Sequence, residues 1–324
     1  MNYENNRAVK EEVVMDTEPL VMVRCLCYNH SKYLREALDG IVKQKTNFPF
    51  VAIVHDDCST DDSQSIIREY ENNYPNIIRG IYQKENQYKK GVKITKEIIE
   101  PLMKAKYTAV CECDDYWTDE SKLQTQVDYM ETHSECSMCY HCYDTVSSDK
   151  KLITHYGLQG SGNHVIPVED VIINENPIQL ATVVYRQKLR NQMPEYFYNA
   201  MVGDYPLYVY MATKGEIYYI DKVMSAYRRH GNNSWVTRMN KKPMAYRKHV
   251  NSLIEMMNRF DEETGYQLHS TVENRIENCK YQADRVEGNI TNMIHNRYFK
   301  SLPLEKKFSS ICKALLNKKR VLKI

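Results

Sequence analysis

Short apolar runs and helical apolar pairs alternate along the first third of the chain. Leu20 to Cys27 predicts a strand. The pairs Tyr33/Leu34, Ala37/Leu38 and Ile41/Val42 then recur every four residues, a helical stripe with Asn29 or Ser31 placed to cap it. Phe50 to Val54 predicts a second strand, followed by a helix carrying Ile66, Ile67 and Tyr70. Ser59 is placed to cap that helix, with Asp62 as its capping-box partner. Ile77 to Tyr82 predicts a third strand. Val92, Ile94, Ile98, Ile99 and Leu102 mark a helix strained by Pro101, and Tyr107 to Cys113 predicts a fourth strand. Strands alternating with helices at this spacing predict an α/β fold around a doubly wound, mostly parallel sheet.

Further on the pattern is mixed. Leu123 to Met130 reads as helix, Ser137 to Thr145 and Leu180 to Tyr185 as strands, Pro206 to Met211 as helix and Ile217 to Ile220 as strand. From about 240 only helix is expected, with Leu253, Met256, Met257 and Phe260 on one face and a more polar helix over about 270–298. These patterns divide the chain into a mobile arm at 1–18, a catalytic domain at 19–238 and a helical extension at 239–324.

Ligands of such sheets bind beyond the carboxyl ends of the strands. Three polar segments fall there: Cys27-Tyr28-Asn29, Asp56-Asp57, and Glu112-Cys113-Asp114-Asp115 ahead of Tyr116-Trp117. On a strand, Glu112 and Asp114 share one face, and Asp115 begins the loop. Three carboxylates this close raise one another's pKa unless a cation sits among them. A hard divalent ion with oxygen ligands, able to carry a diphosphate, fits; a plain acidic turn is the alternative.

Composition changes the picture little. Charged residues make up 27% and apolar ones 42% of 324 residues, ordinary for a globular protein. A net charge of +2 gives no bulk reason to expect a nucleic-acid partner. Tyr outnumbers Phe by 26 to 6, which suits stacking on bases or sugars. No signal peptide and no membrane-spanning run is visible, so the ten cysteines are expected reduced in the cytoplasm.

Taken in order, these segments resemble the inverting glycosyltransferases of family 2, which have the GT-A fold, in the type that builds bacterial polysaccharides. The resemblance covers about 20–235. It rests on Val23 to His30, Val54 to Asp61, Glu112 to Trp117, Lys122-Leu123-Gln124, Gly203-Asp204-Tyr205-Pro206-Leu207 and Tyr227-Arg228-Arg229-His230.

That resemblance implies a nucleotide-sugar donor, a UDP-sugar by preference, a Mn2+ or Mg2+ cofactor, and a glycan or lipid-linked glycan acceptor. Tyr28 would stack on the base, beside Asn29. Asp57 would accept from a base ring nitrogen, and Asp56 would order the turn or touch ribose. Lys84 and Asn86 match a donor-side loop. Asp114 and Asp115 would divide ribose binding and metal coordination, while Glu112 stands where Asp is common. Trp117 would pack under the site or line the acceptor groove. Asp204 would be the general base, with a helix cap before Pro206 as its alternative role. Arg228 would screen the diphosphate and His230 would ligate the metal.

Other signals compete. Cys136, Cys139 and Cys142 with His133 and His141 suggest zinc, but strand alternation puts Cys139 and Cys142 on opposite faces. A nucleotidyltransferase would need a Gly-rich loop, which Cys25 to Ser31 lacks. A metal-independent glycoside hydrolase and a non-catalytic sugar-nucleotide-binding module stay open. The segment 300–324 holds eight Lys or Arg against Glu305, with Phe308, Ile311, Cys312, Leu315 and Leu316 between them. It suits either an anionic membrane surface on the inner face or packing on the preceding helices.

Overall fold

The computed structural model describes residues 18–157, 160–173, 178–229, 239 and 241–321. Most of the expected arm, and His230, lie outside them. The four early apolar runs form β1 (Val21–Cys27), β2 (Phe50–Asp56), β3 (Ile78–Tyr82) and β4 (Tyr107–Val110), all parallel in the order β3-β2-β1-β4. The helices α1 (Ser31–Val42) and α2 (Ser63–Asn73) bury Leu34, Leu38, Ile41, Ile66 and Ile67 in the core cluster that holds Val21, Val23 and Val54. Gly40 lets α1 sit on β5 (Tyr116–Trp117): a Cβ there would meet the Trp117 carbonyl oxygen at 2.7 Å.

The sheet continues with β6 (Cys136–Ser147), β7 (Leu152–Tyr156), β8 (His164–Ile166), β9 (Val184–Arg186) and β10 (Glu216–Arg229). β9 runs antiparallel to β4 and to β6, β6 and β10 are parallel, and β5 closes the order antiparallel on β10. Around it lie α3 (Lys122–Thr132), α4 (Val168–Ile173), α5 (Gln187–Arg190), α6 (Asp204–Lys214), α7 (Pro243–Glu263) and α8 (His269–Glu287). The faces of β6, β10, α6, α7 and α8 share a second core containing Met138, Val209, Phe260 and Ile276. That core ties the helical extension to the sheet.

Several expectations need correction. β4 ends at Val110, because the Asp115 N–H turns back onto the Glu112 carbonyl at 3.0 Å and makes the acidic segment a turn. Leu180–Thr182 is a 3-10 turn, and the strand starts only at Val184. Pro101 splits the expected helix at 92–102 into a π turn (Thr95–Ile99) and a 3-10 turn (Glu100–Leu102). Ser59 does not cap α2; its hydroxyl accepts the Asn29 N–H instead. The helix expected over 270–298 stops at Gly288, whose φ of 73° is a left-handed cap. Two short helices follow, α9 (Ile290–His295) and α10 (Arg297–Ser301), and then α11 (Leu304–Val321).

The cysteines are free thiols. No three-residue metal cluster of His, Cys, Asp or Glu occurs among the described residues, and Cys139 and Cys142 belong to different cores. Beside them His141 is buried in β6, its Nδ1–H donating to the Cys142 carbonyl at 2.6 Å. Burial, with Lys122 as a second cause, holds its pKa well below the ordinary 6.5; burial also lowers His55. The unfolded chain therefore takes up protons below that pH that the folded chain refuses, so stability falls on acidification, by at most about 1.4 kcal/mol per unit for each group. His141→Asn is expected to flatten the fall in thermal midpoint between about pH 7 and pH 5. Thermal melts across that range check it, and an unchanged slope would acquit His141.

Candidate active site

The carboxyl ends of β1, β2 and β4 meet at one edge of the sheet, where Asp57 N–H donates to the Cys27 carbonyl and Cys113 N–H to that of Leu26. Tyr28 is exposed there, and Asn29 is held at φ 57° with its Oδ1 accepting the Thr60 N–H at 2.8 Å. Asp56 is buried: its Oδ2 accepts Ser59 N–H and Gln64 Nε2, while Oδ1 has no protein partner. Asp57 accepts the N–H groups of Gln87 (2.7 Å) and Tyr88 (3.1 Å), and the Asn86 amide donates to its carbonyl. Lys84 stands exposed on the same loop. Asp57 thus ties the end of β1 to the loop of Asn86, while Asn29 is tied to Ser59 and Thr60 after β2.

The acidic turn divides its carboxylates. Asp115 is buried: Oδ1 accepts the Arg228 N–H at 2.8 Å and Oδ2 the Gln179 amide at 2.7 Å. Burial and then the Asp114 charge push its pKa well above the usual range. Expected as a metal ligand, Asp115 is instead turned inward as the anchor of the turn. Asp114 is less buried than Asp115 and keeps part of its surface open. Glu112 pairs with Arg24 of β1 at 3.0 Å and keeps 24% of its side chain open. Its pKa is nevertheless pushed up to about 7: burial outweighs the pull of Arg24, and Asp114 and Asp204 add to it.

Asp204 is exposed at the first position of α6, two residues before the expected start, with Oδ1 accepting the N–H of Tyr205 at 2.8 Å. It lies within electrostatic reach of Glu112 and of Tyr208, one turn along α6, whose buried hydroxyl has no hydrogen-bond partner among the described residues. Tyr227 of β10 lies within electrostatic reach of Asp115, Asp114 and Asp204, which brings the acidic turn and the start of α6 near one another.

One expectation is displaced, and another is narrowed to the first of its two alternatives. Arg228 is buried, its Nε donating to the Asp114 carbonyl at 3.0 Å, its Nη2 paired with Glu36, and its guanidinium set 4.6 and 5.1 Å from the rings of Tyr33 and Tyr116. It braces the acidic turn and has no open face for a diphosphate. Trp117 is equally buried, donating to the Ala181 carbonyl under the amine of Lys122, so it packs beneath the site rather than lining a groove. Sequence reasoning missed Arg24, Gln179, Tyr208 and Tyr227. Arg24 and Tyr227 lay inside matched segments without a role of their own, and Tyr208, four residues after Asp204, left a signal in the spacing.

The profile described as Glycosyl transferase family 2 matches residues 25–197. An uncharacterized protein of Mycobacterium tuberculosis is 36% identical over 211 residues, covering 65% of this chain and 59% of that protein. S. aureus TarS in complex with UDP-GlcNAc superposes with a TM-score of 0.53 at 16% identity, covering 92% of this chain and 88% of that one. The mannosyltransferase PcManGT from Pyrobaculum calidifontis, in complex with GDP-Man and Mn2+, gives 0.52 at 10% identity, covering 93% and 88%. These structures share the fold.

Proposed function

The chain belongs to glycosyl transferase family 2 and has the GT-A fold, and from that premise we propose that it is a metal-dependent inverting glycosyltransferase. In this reading it moves a sugar from a UDP-sugar to a hydroxyl of a glycan or lipid-linked glycan, in cell-surface polysaccharide synthesis on the cytoplasmic side of the membrane. What supports the reading is that Glu112 lies close enough to Asp114 and to Asp204, at the start of α6, for both charges to act on it.

The donor set fits a divalent cation of limited protein coordination. Asp114 is a hard, partly exposed oxygen donor, and such an ion commonly takes one or two carboxylates and completes its shell with phosphate oxygens. Bound there, the ion would neutralise charge on the leaving diphosphate.

The chain's own residues supply the rest. Each Asp57 oxygen already accepts one backbone N–H and keeps a second lone pair, so it can take a ring N–H of uracil; adenine and cytosine offer none. Tyr28, open at the same edge, supplies a stacking face. Arg24 and Arg228 hold the acidic turn still. Asp204 takes the acceptor's proton as its oxygen attacks the anomeric carbon, and the C–O bond to the diphosphate breaks with its electron pair.

A thermal-shift panel of nucleotide sugars with and without manganese tests donor and metal together. UDP-sugars are expected to raise the midpoint by several degrees with metal and by less without it, roughly as mass action predicts. Asp114→Ala should erase the metal-dependent part alone. A shift indifferent to metal in the unaltered protein would defeat the metal assignment, and one seen only with purine nucleotides would defeat the uracil assignment.

A further inference from the structure

The last described helix, α11, is two-sided. Its inner face buries Ala314 and Ser310 against α8, where Tyr281 and Ser310 hydroxyls meet and the Asn317 amide donates to the Arg285 carbonyl at 3.2 Å. The backbone approach is close: a Cβ on Gly288 would lie 2.7 Å from Cα of Lys318. That half of the sequence pattern packs on the preceding helices.

The other side remains apolar and open. Leu304 is 82%, Phe308 73%, Leu316 60% and Leu315 45% exposed, and Cys312 is exposed among them. At about 100° per residue these five positions occupy one arc of roughly 120°, facing away from α8. Lys306 and Lys313 are exposed to one side of that arc and Lys318 to the other, where Lys307 is half-buried with its Nζ donating to the Lys300 carbonyl at 2.6 Å. Glu305, the sole acid between 300 and 324, is exposed on the same arc in the first turn of the helix.

We propose that this face docks the protein onto an anionic lipid surface. An apolar stripe bordered on both sides by lysines matches the boundary between acyl chains and negatively charged headgroups: the stripe enters the former and the lysines meet the latter. A second copy of the chain is a poor occupant, since two-fold pairing of this stripe brings the lysine shoulders of both copies together. Among the described residues no helix is long and apolar enough to cross a membrane, so this contact lies in the plane of the surface. The proposal stands apart from the transfer reading and needs no activity for its test.

Flotation of the full chain with vesicles of phosphatidylglycerol and phosphatidylcholine in equal parts, against phosphatidylcholine alone, decides it. The chain is expected to float with the anionic vesicles only, and less so as salt is raised. The double change Phe308→Glu and Leu315→Glu should cut recovery about tenfold or more, as should Lys306→Glu with Lys313→Glu. Because these side chains are exposed, the thermal midpoint should hold in both variants, which separates lost docking from lost folding. Absence of flotation with anionic vesicles, equal recovery of the variants, or a concentration-dependent dimer abolished by the Phe308 change would overturn it.

Discussion

Replacing Asp204 by Asn is expected to slow sugar transfer about a thousandfold while leaving nucleotide affinity unchanged, because a positioned base contributes roughly 10²–10⁴ to such a step. The geometry separates these two outcomes. Asp204 opens α6 within electrostatic reach of Glu112, beside Asp114, whereas base recognition is assigned to Asp57 on the far side of β1. Asn retains the oxygen that accepts the Tyr205 N–H and starts helices as well as Asp does, so the fold should not suffer. Steady-state transfer rates and calorimetric titration of UDP make the comparison. A rate within a factor of about three of the unaltered protein would leave Asp204 with the helix-starting role alone.

The parallel half of the sheet was readable in the chain because each strand there is a short apolar run and each helix a four-residue stripe. The same local logic marked the edge where Tyr28, Asp57 and Asp114 stand. It failed where partners are far apart in sequence. Arg24 sits inside an apolar run, and nothing near it announces Glu112, 88 positions away. Gln179 lies in a stretch without pattern, yet it holds Asp115. Strand alternation was extended into the acidic turn, where the backbone had already left the ladder, so it could not tell which carboxylate turns inward. The long strands β6 and β10 were recognised only in part: β6 is buried along most of its length and loses the alternation of a half-exposed strand, and β10 keeps no regular alternation beyond its first residues.

Arg24→Met is expected to cost about 2–4 kcal/mol of folding stability at neutral pH, and adding Glu112→Gln to recover most of that. Arg24 is 9% exposed; its guanidinium donates to Glu112 and to the Thr95 hydroxyl at 3.1 Å. It is the cation that stands directly against a group of carboxylates that repel one another. Without it, Glu112 stays buried beside Asp114 and Asp204 and must take a proton or open the turn. The loss should be smaller at about pH 5 than at pH 8, because protonating Glu112 removes the uncompensated charge. The sign is that of an acid whose folded pKa lies above its unfolded one: the folded state holds the proton through that window, so stability falls as pH rises. Urea unfolding of the single and double variants at both pH values measures it. If the double variant is no more stable than the single one, the damage comes from lost packing around Arg24, and the pair does not govern the site's charge.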